Sequence, residues 1–150
     1  IKPNKKIEIS LKEMTYVSEM SLTIGIFLLT VGTFLGGMWA NESWGRYWSW
    51  DPKETWAFVS VIVYAVVLHM RLVPGLRGKF AFNVAAMWAV WTVIMTYFGV
   101  NYYLSGLHSY AAGDPIPIPF WVPATAVAML VLSIAAWYFQ NKVYHVKSKN

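Results

Sequence analysis

The sequence predicts an all-α integral membrane protein with four transmembrane helices, both termini cytoplasmic, and an N-terminal amphipathic surface helix. Three observations predict it. The composition is wrong for water: of 150 residues, 57% are hydrophobic and only 13% charged, with a mean hydropathy of +0.45, which is the balance of a membrane chain. Four apolar stretches, interrupted by charge only at an end, are long enough to cross a bilayer. Ten of the twelve lysines and arginines fall in flanks that these spans place on one side. At about 20 apolar residues per crossing, four spans leave no room for a large soluble catalytic domain.

The elements follow in order. In residues 1–19, Ile7, Leu11, Met14 and Val17 recur at helical spacing with Lys and Glu between them, the pattern of an amphipathic helix lying on the inner surface. Residues 20–39 carry no charge, and at about 1.5 Å per residue they cover the roughly 30 Å of hydrocarbon. Residues 55–73 are uncharged until Arg71, which can snorkel from a helix end. Residues 80–104 and 119–139 contain no Asp, Glu, Lys or Arg. All four are helical because lipid offers no water to backbone amides, so their hydrogen bonds must close internally. The four spans form one transmembrane domain, 20–139, followed by a basic tail, 140–150. Pro115, Pro117 and Pro119 stiffen the second outer loop. The chain opens at Ile1 with lysines at 2, 5 and 6, without the apolar core or cleavage site of a signal peptide. The expectation is a fragment of a longer protein.

Orientation follows from the basic residues. Lys2, Lys5, Lys6 and Lys12 precede the first span, Arg71, Arg77 and Lys79 join the second to the third, and Lys142, Lys147 and Lys149 end the chain. The opposite side holds only Arg46 and Lys53. The positive-inside rule puts both termini in the cytoplasm. The basic balance therefore reflects topology and anionic lipid contact, with no need for a nucleic-acid partner. Zero Cys excludes thiol redox chemistry, thiolate metal sites and disulfides from this chain.

Five of the nine tryptophans, Trp39, Trp44, Trp48, Trp50 and Trp56, fall within 18 residues on and beside the first outer loop. At helix ends Trp39 and Trp56 suit the aromatic belt of a membrane interface. Trp44, Trp48 and Trp50 stand mid-loop instead, and clustered indoles make an apolar platform with a wet edge, suited to a large flat ligand. Asp51 and Glu54 invite an acid–base reading, but with Pro52 between them they spell a helix start: capping Asp, Pro at the first helical position, and Glu three residues after the cap.

The run Trp44-Gly45-Arg46-Tyr47-Trp48-Ser49-Trp50-Asp51-Pro52-Lys53-Glu54 resembles the tryptophan-rich signature WGxxWxWDxxE of the haem-handling proteins of cytochrome c biogenesis. The following Thr55-Trp56-Ala57, and the later Val100 to Tyr110 with His108 within it, resemble the synthetase of the second bacterial system, the CcsA or ResC type, often fused to a CcsB partner. The resemblance implies a multi-pass protein of the bacterial inner membrane whose signature loop faces the periplasm, in agreement with the charge count. It also implies a b-type haem held in transit, and Trp44, Gly45, Trp48, Trp50 and Asp51 at the haem site.

The three histidines differ. His108 lies in the second outer loop, on the side of the tryptophans, and haem needs an apolar face plus an axial imidazole nitrogen. By resemblance it is an outer axial ligand; the family's other outer histidine precedes the signature, and no histidine precedes residue 44 here. His69 lies inside the second span, about 21 Å deeper than Thr55 by helical rise. An ionisable residue there is a functional candidate, and by resemblance it receives haem from the inner side. An interfacial histidine facing headgroups beside Arg71 is the alternative. His145, in the lysine tail, reads as solvated. Because His69 and His108 lie near opposite surfaces, they cannot clamp one haem as a membrane cytochrome b does.

The expected function is a cytochrome c synthetase component that presents haem for thioether attachment to the Cys-x-x-Cys-His segment of an apocytochrome c. Its partners are the apocytochrome, a CcsB or ResB-type subunit or fused region, and a thiol-reducing system. The alternatives are a haem exporter or chaperone without the ligation step, and a structural membrane subunit. The sequence names no proton donor for the addition.

Overall fold

The computed structural model describes residues 5–108 and 117–147; residues 114–116 of the proline-rich loop, and Tyr110 of the family motif, lie outside them. Four helices account for nearly all of it. Helix α1 spans Lys5–Trp44; α2 spans Pro52–His69 and is prolonged by a 3-10 turn, Met70–Leu72. Helix α3 runs Lys79–Tyr103 and contains a π turn at Met95–Gly99. Helix α4 spans Trp121–Lys147. Each contains a stretch long and apolar enough to cross a membrane.

One element differs from its expected form. The segment expected to lie along the surface is helical, but it continues without a break into the first span, so α1 has 40 residues. The cause is local. Between Lys5 and Ile24 there is neither Gly nor Pro, so nothing interrupts the backbone ladder. The hydroxyls of Thr15, Thr23, Thr30 and Thr33 donate to carbonyls four residues back, which satisfies them without opening the helix.

Helix α2 lies between α1 and α3, and α4 packs on α3. The tightest packing joins Val67 and Met70 to Phe82 and Ala89, with Ala81, Ala85 and Ala86 alongside. Small residues let helix backbones approach where lipid provides no hydrophobic driving force. Polar pairs tie the same helices together. Asn83 Nδ2 donates to Thr15 Oγ1 at 3.0 Å, Ser60 and Thr96 hydroxyls meet at 3.2 Å, and Trp88 Nε1 donates to Ser133 Oγ at 3.2 Å. Arg71 pairs with Glu19, closing α1 onto the end of α2. The core thus sits toward the end that holds the 70–78 turn. The tryptophan loop and residues 104–108 lie at the other end.

Candidate functional site

The site is built where α1 ends and α2 begins. Gly45 terminates α1 with φ +70°, and its N–H donates to the Asn41 carbonyl at 2.8 Å, a left-handed cap that glycine makes without strain. Trp50 also takes a positive φ, 58°, which costs a residue with a Cβ about 1 kcal/mol. Its neighbours hold it there. Thr55 Oγ1 donates to the Trp50 carbonyl at 3.2 Å. Glu54 Oε2 accepts from the Ser49 N–H at 2.8 Å, the Ser49 hydroxyl at 3.2 Å and the Asp51 N–H at 3.3 Å. Asp51 in turn accepts from the Lys53 N–H at 3.3 Å. Together with Pro52 at the first turn, these contacts form the capping box expected from the sequence.

Asp51 also reaches across to residues more than fifty positions away. Its Oδ1 accepts the Leu107 N–H at 2.6 Å, and its Oδ2 lies 2.9 Å from His108 Nδ1. The two side chains are only 4% and 15% exposed, respectively. Burial by itself would raise the Asp51 pKa, but hydrogen bonds from His108, the Leu107 N–H and the Lys53 N–H hold it below the ordinary 3.8. Gly106 makes this contact possible. A Cβ there would run into Asp51 Oδ1 and stand 2.8 Å from Pro52 Cδ, so only glycine lets the backbone come so close.

Aromatic rings surround the imidazole. Trp44 meets His108 edge-on with ring centres 4.7 Å apart, Trp39 lies 6.4 Å from it, and the two indoles are 5.1 Å apart. Trp48 and Trp50 form a second group instead, with centres 5.7 Å apart, and Trp48 touches Phe58 of α2 at 6.2 Å. The single platform expected from the loop is therefore two walls. Gly45, with its positive φ, lies in the chain between the two groups. Trp39, assigned above to the interfacial belt, belongs to the histidine's wall because α1 runs past it to Trp44. Trp50, at 68% exposure, is the most open of the loop's indoles.

Residues 2–108 match the family model described as Cytochrome C assembly protein. The chain belongs to that family. It is 51% identical over 125 residues to Protein NrfI of Wolinella succinogenes, an alignment covering 83% of this chain and 14% of that protein. It is 46% identical over 99 residues to the Cytochrome c biogenesis protein CcsA of Prochlorococcus marinus, covering 66% of this chain and 31% of the relative. The CcsA of Cyanophora paradoxa gives 45% identity over 99 residues, 66% of this chain and 30% of that protein. The chain thus spans between about a seventh and a third of the curated relatives it matches. It is a CcsA-type member of the cytochrome c assembly family, a group that takes part in cytochrome c biogenesis, and its four spans make it multi-pass. The matched segment ends at His108 and so includes both halves of the Asp51–His108 contact.

In this cytochrome c assembly protein, His69 stands apart from the other singled-out residues. It closes α2 at the far end, exposed, with Nδ1 2.7 Å from the Ala65 carbonyl of its own helix. Eighteen residues separate it from Asp51, about 27 Å at helical rise. Of the residues singled out from sequence, Trp44 and Asp51 each meet His108, Gly45 turns the chain after Trp44, and Trp48 and Trp50 form a separate group. Sequence reasoning missed the Leu107 N–H, a main-chain donor that leaves no trace in residue identity. It also missed Asn101, whose Oδ1 accepts from Lys53 Nζ at 3.0 Å and ties the end of α3 to the start of α2.

Proposed function

We propose that this chain binds haem at its aromatic end, with His108 as an axial ligand, and presents it to an apocytochrome c as part of a cytochrome c synthetase. The observation that carries the reading is the setting of His108. Its Nδ1 is engaged by Asp51, so Nε2 is the nitrogen left for iron, and indoles flank the ring. An imidazole with one nitrogen committed and two indoles against it is a donor set that fits haem.

When bound, a b-type haem supplies the vinyl groups to which the cysteines of a Cys-x-x-Cys-His segment add. The chain's own residues would hold and orient the group: His108 would ligate the iron through Nε2, and the aromatic rings would exclude water, which is catalysis by positioning. With zero Cys, the chain offers no competing thiol. The partners of this reading are the apocytochrome, a thiol-reducing system that keeps its cysteines free, and a CcsB or ResB-type subunit or fused region. His69, exposed within an otherwise apolar span, serves as the inner receiving ligand. The excess of basic residues around the 70–78 turn and both chain ends supports a bacterial inner-membrane protein with the aromatic end on the periplasmic side.

The test uses the intact protein, purified in detergent and also coexpressed with an apocytochrome in a host lacking its own maturation pathway. Wild type is expected to show a Soret band and to yield covalent haem. His108→Ala is expected to lose or shift that band, with partial restoration by exogenous imidazole. A Soret band without covalent product would leave only an exporter or chaperone. Absence of haem from wild type would reduce the chain to a structural subunit.

A further inference from the structure

The Asp51–His108 contact is made by a carboxylate whose two oxygens have different tasks. Oδ1 is seated by the Leu107 N–H at 2.6 Å, the shortest of its contacts. That seating needs the space a Gly106 Cβ would fill. Oδ2 is then left facing His108 Nδ1 at 2.9 Å. A carboxylate only accepts, so the imidazole proton must sit on Nδ1, and Nε2 presents its lone pair away from the carboxylate.

Resting on the reading of His108 as a haem ligand, we propose that Asp51 and Gly106 are positioning residues which fix its tautomer and ring angle. Asp51 gives the imidazole partial anionic character, while Gly106 sets where the carboxylate stands. An outer partner of this type raises ligand basicity and steadies the metal bond. A stronger donor at iron favours the oxidised state, so the pair also sets the redox level at which haem is held.

The capping role of Asp51 is the competing explanation, and Asp51→Asn separates the two. Asn keeps a capping amide oxygen, but the Lys53 N–H and His108 share Oδ2, so rescue by imidazole carries the separation. In this variant the amide oxygen must stay on the Leu107 N–H, because the reverse orientation would set two donors against each other at the 2.6 Å contact. The amide NH2 then faces His108 Nδ1, which has to accept, and the ring proton moves to Nε2 where it blocks metal ligation. Losing the weaker 3.3 Å contact with the Lys53 N–H is the smaller penalty.

The experiment measures haem affinity, midpoint potential and apoprotein unfolding temperature for intact wild type, Asp51→Asn and His108→Ala. For Asp51→Asn the expected result is an affinity about 10- to 100-fold lower. Its residual haem should have a raised midpoint potential, and exogenous imidazole should restore the spectrum whatever the lost cap contact does to the unfolding temperature. Imidazole replaces a ligand and not a helix cap, so failure of that rescue would overturn the proposal, as would unchanged affinity and potential. If His108→Ala also leaves the spectrum untouched, the ligand assignment itself falls. If only Asp51→Asn is silent, the ligand stands and the positioning role is lost.

Discussion

Gly106 contributes only the absence of a side chain, yet the Leu107 N–H reaches Asp51 because of it. Gly106→Ala should therefore destabilise the protein by about 1–3 kcal/mol, the range for breaking a buried polar network. Gly36→Ala, inside α1, is the control, since a Cβ there meets nothing and Ala suits a helix. Thermal unfolding of both variants in one detergent checks the difference, and equal midpoints would contradict it. Asp51 carries a pH signature. Its pKa is lower folded than unfolded, so its contribution is complete above the ordinary 3.8 and is lost as acid takes the pH through the depressed value. Unfolding temperatures followed into that acid range should fall more steeply for wild type than for Asp51→Asn. The chemistry-bearing residues at this scale were legible: tryptophans mid-loop, a histidine on the same side, a carboxylate at a helix start. Their partition was not. Trp48 and Trp50 pair with each other and with Phe58, a choice of neighbours that residue types alone do not announce, and neither do they announce the positive φ of Trp50.

Helix α2 begins where its sequence says it should, because a capping box is a local pattern of residues three apart. Glu54 is its busiest member, accepting from the Ser49 backbone, the Ser49 hydroxyl and the Asp51 backbone. Glu54→Ala is expected to cost about 1–2 kcal/mol and to release the Trp50 turn. Unfolding in detergent measures the first, and increased solvent quenching of tryptophan fluorescence reports the second. Between α2 and α3, the buried Ser60 shares a hydrogen bond with Thr96. Interhelical bonds of this kind average about 0.6 kcal/mol in membranes, so Ser60→Ala should be mild. Ser60→Leu, which forces a larger side chain into that packing, should cost about 1–3 kcal/mol. What remained illegible at this level is the end of α3. The π turn at Met95–Gly99 precedes Asn101 and the residues that reach Asp51, and hydropathy carries no sign of such a turn.

The whole molecule was the most legible level, since a membrane permits so few solutions. Four apolar runs had to be helices, and the described residues hold four helices able to span. Their sidedness is open to direct measurement: these 150 residues contain no cysteine, so a single substitution places one thiol of known position among them. Ser105→Cys is expected to react with an impermeant thiol reagent added outside, and Gly78→Cys only after permeabilisation. The reverse pattern would put the aromatic end in the cytoplasm and remove the proposed meeting place with an apocytochrome. Helix α1 was the exception, because a surface segment and an extended span share the same periodicity and differ only in whether the chain bends between them.

That unbroken helix has a mechanical consequence. Its charge-free stretch, 20–41, accounts for about 33 Å of rise, enough for the lipid. The first part, 5–14, adds about 15 Å beyond the contacts of Thr15 and Glu19 with Asn83 and Arg71, as a charged stalk. Anything that grips the stalk is held more than a bilayer's thickness away from His108. An antibody or affinity tag on it should immobilise the protein while leaving the aromatic end unobstructed.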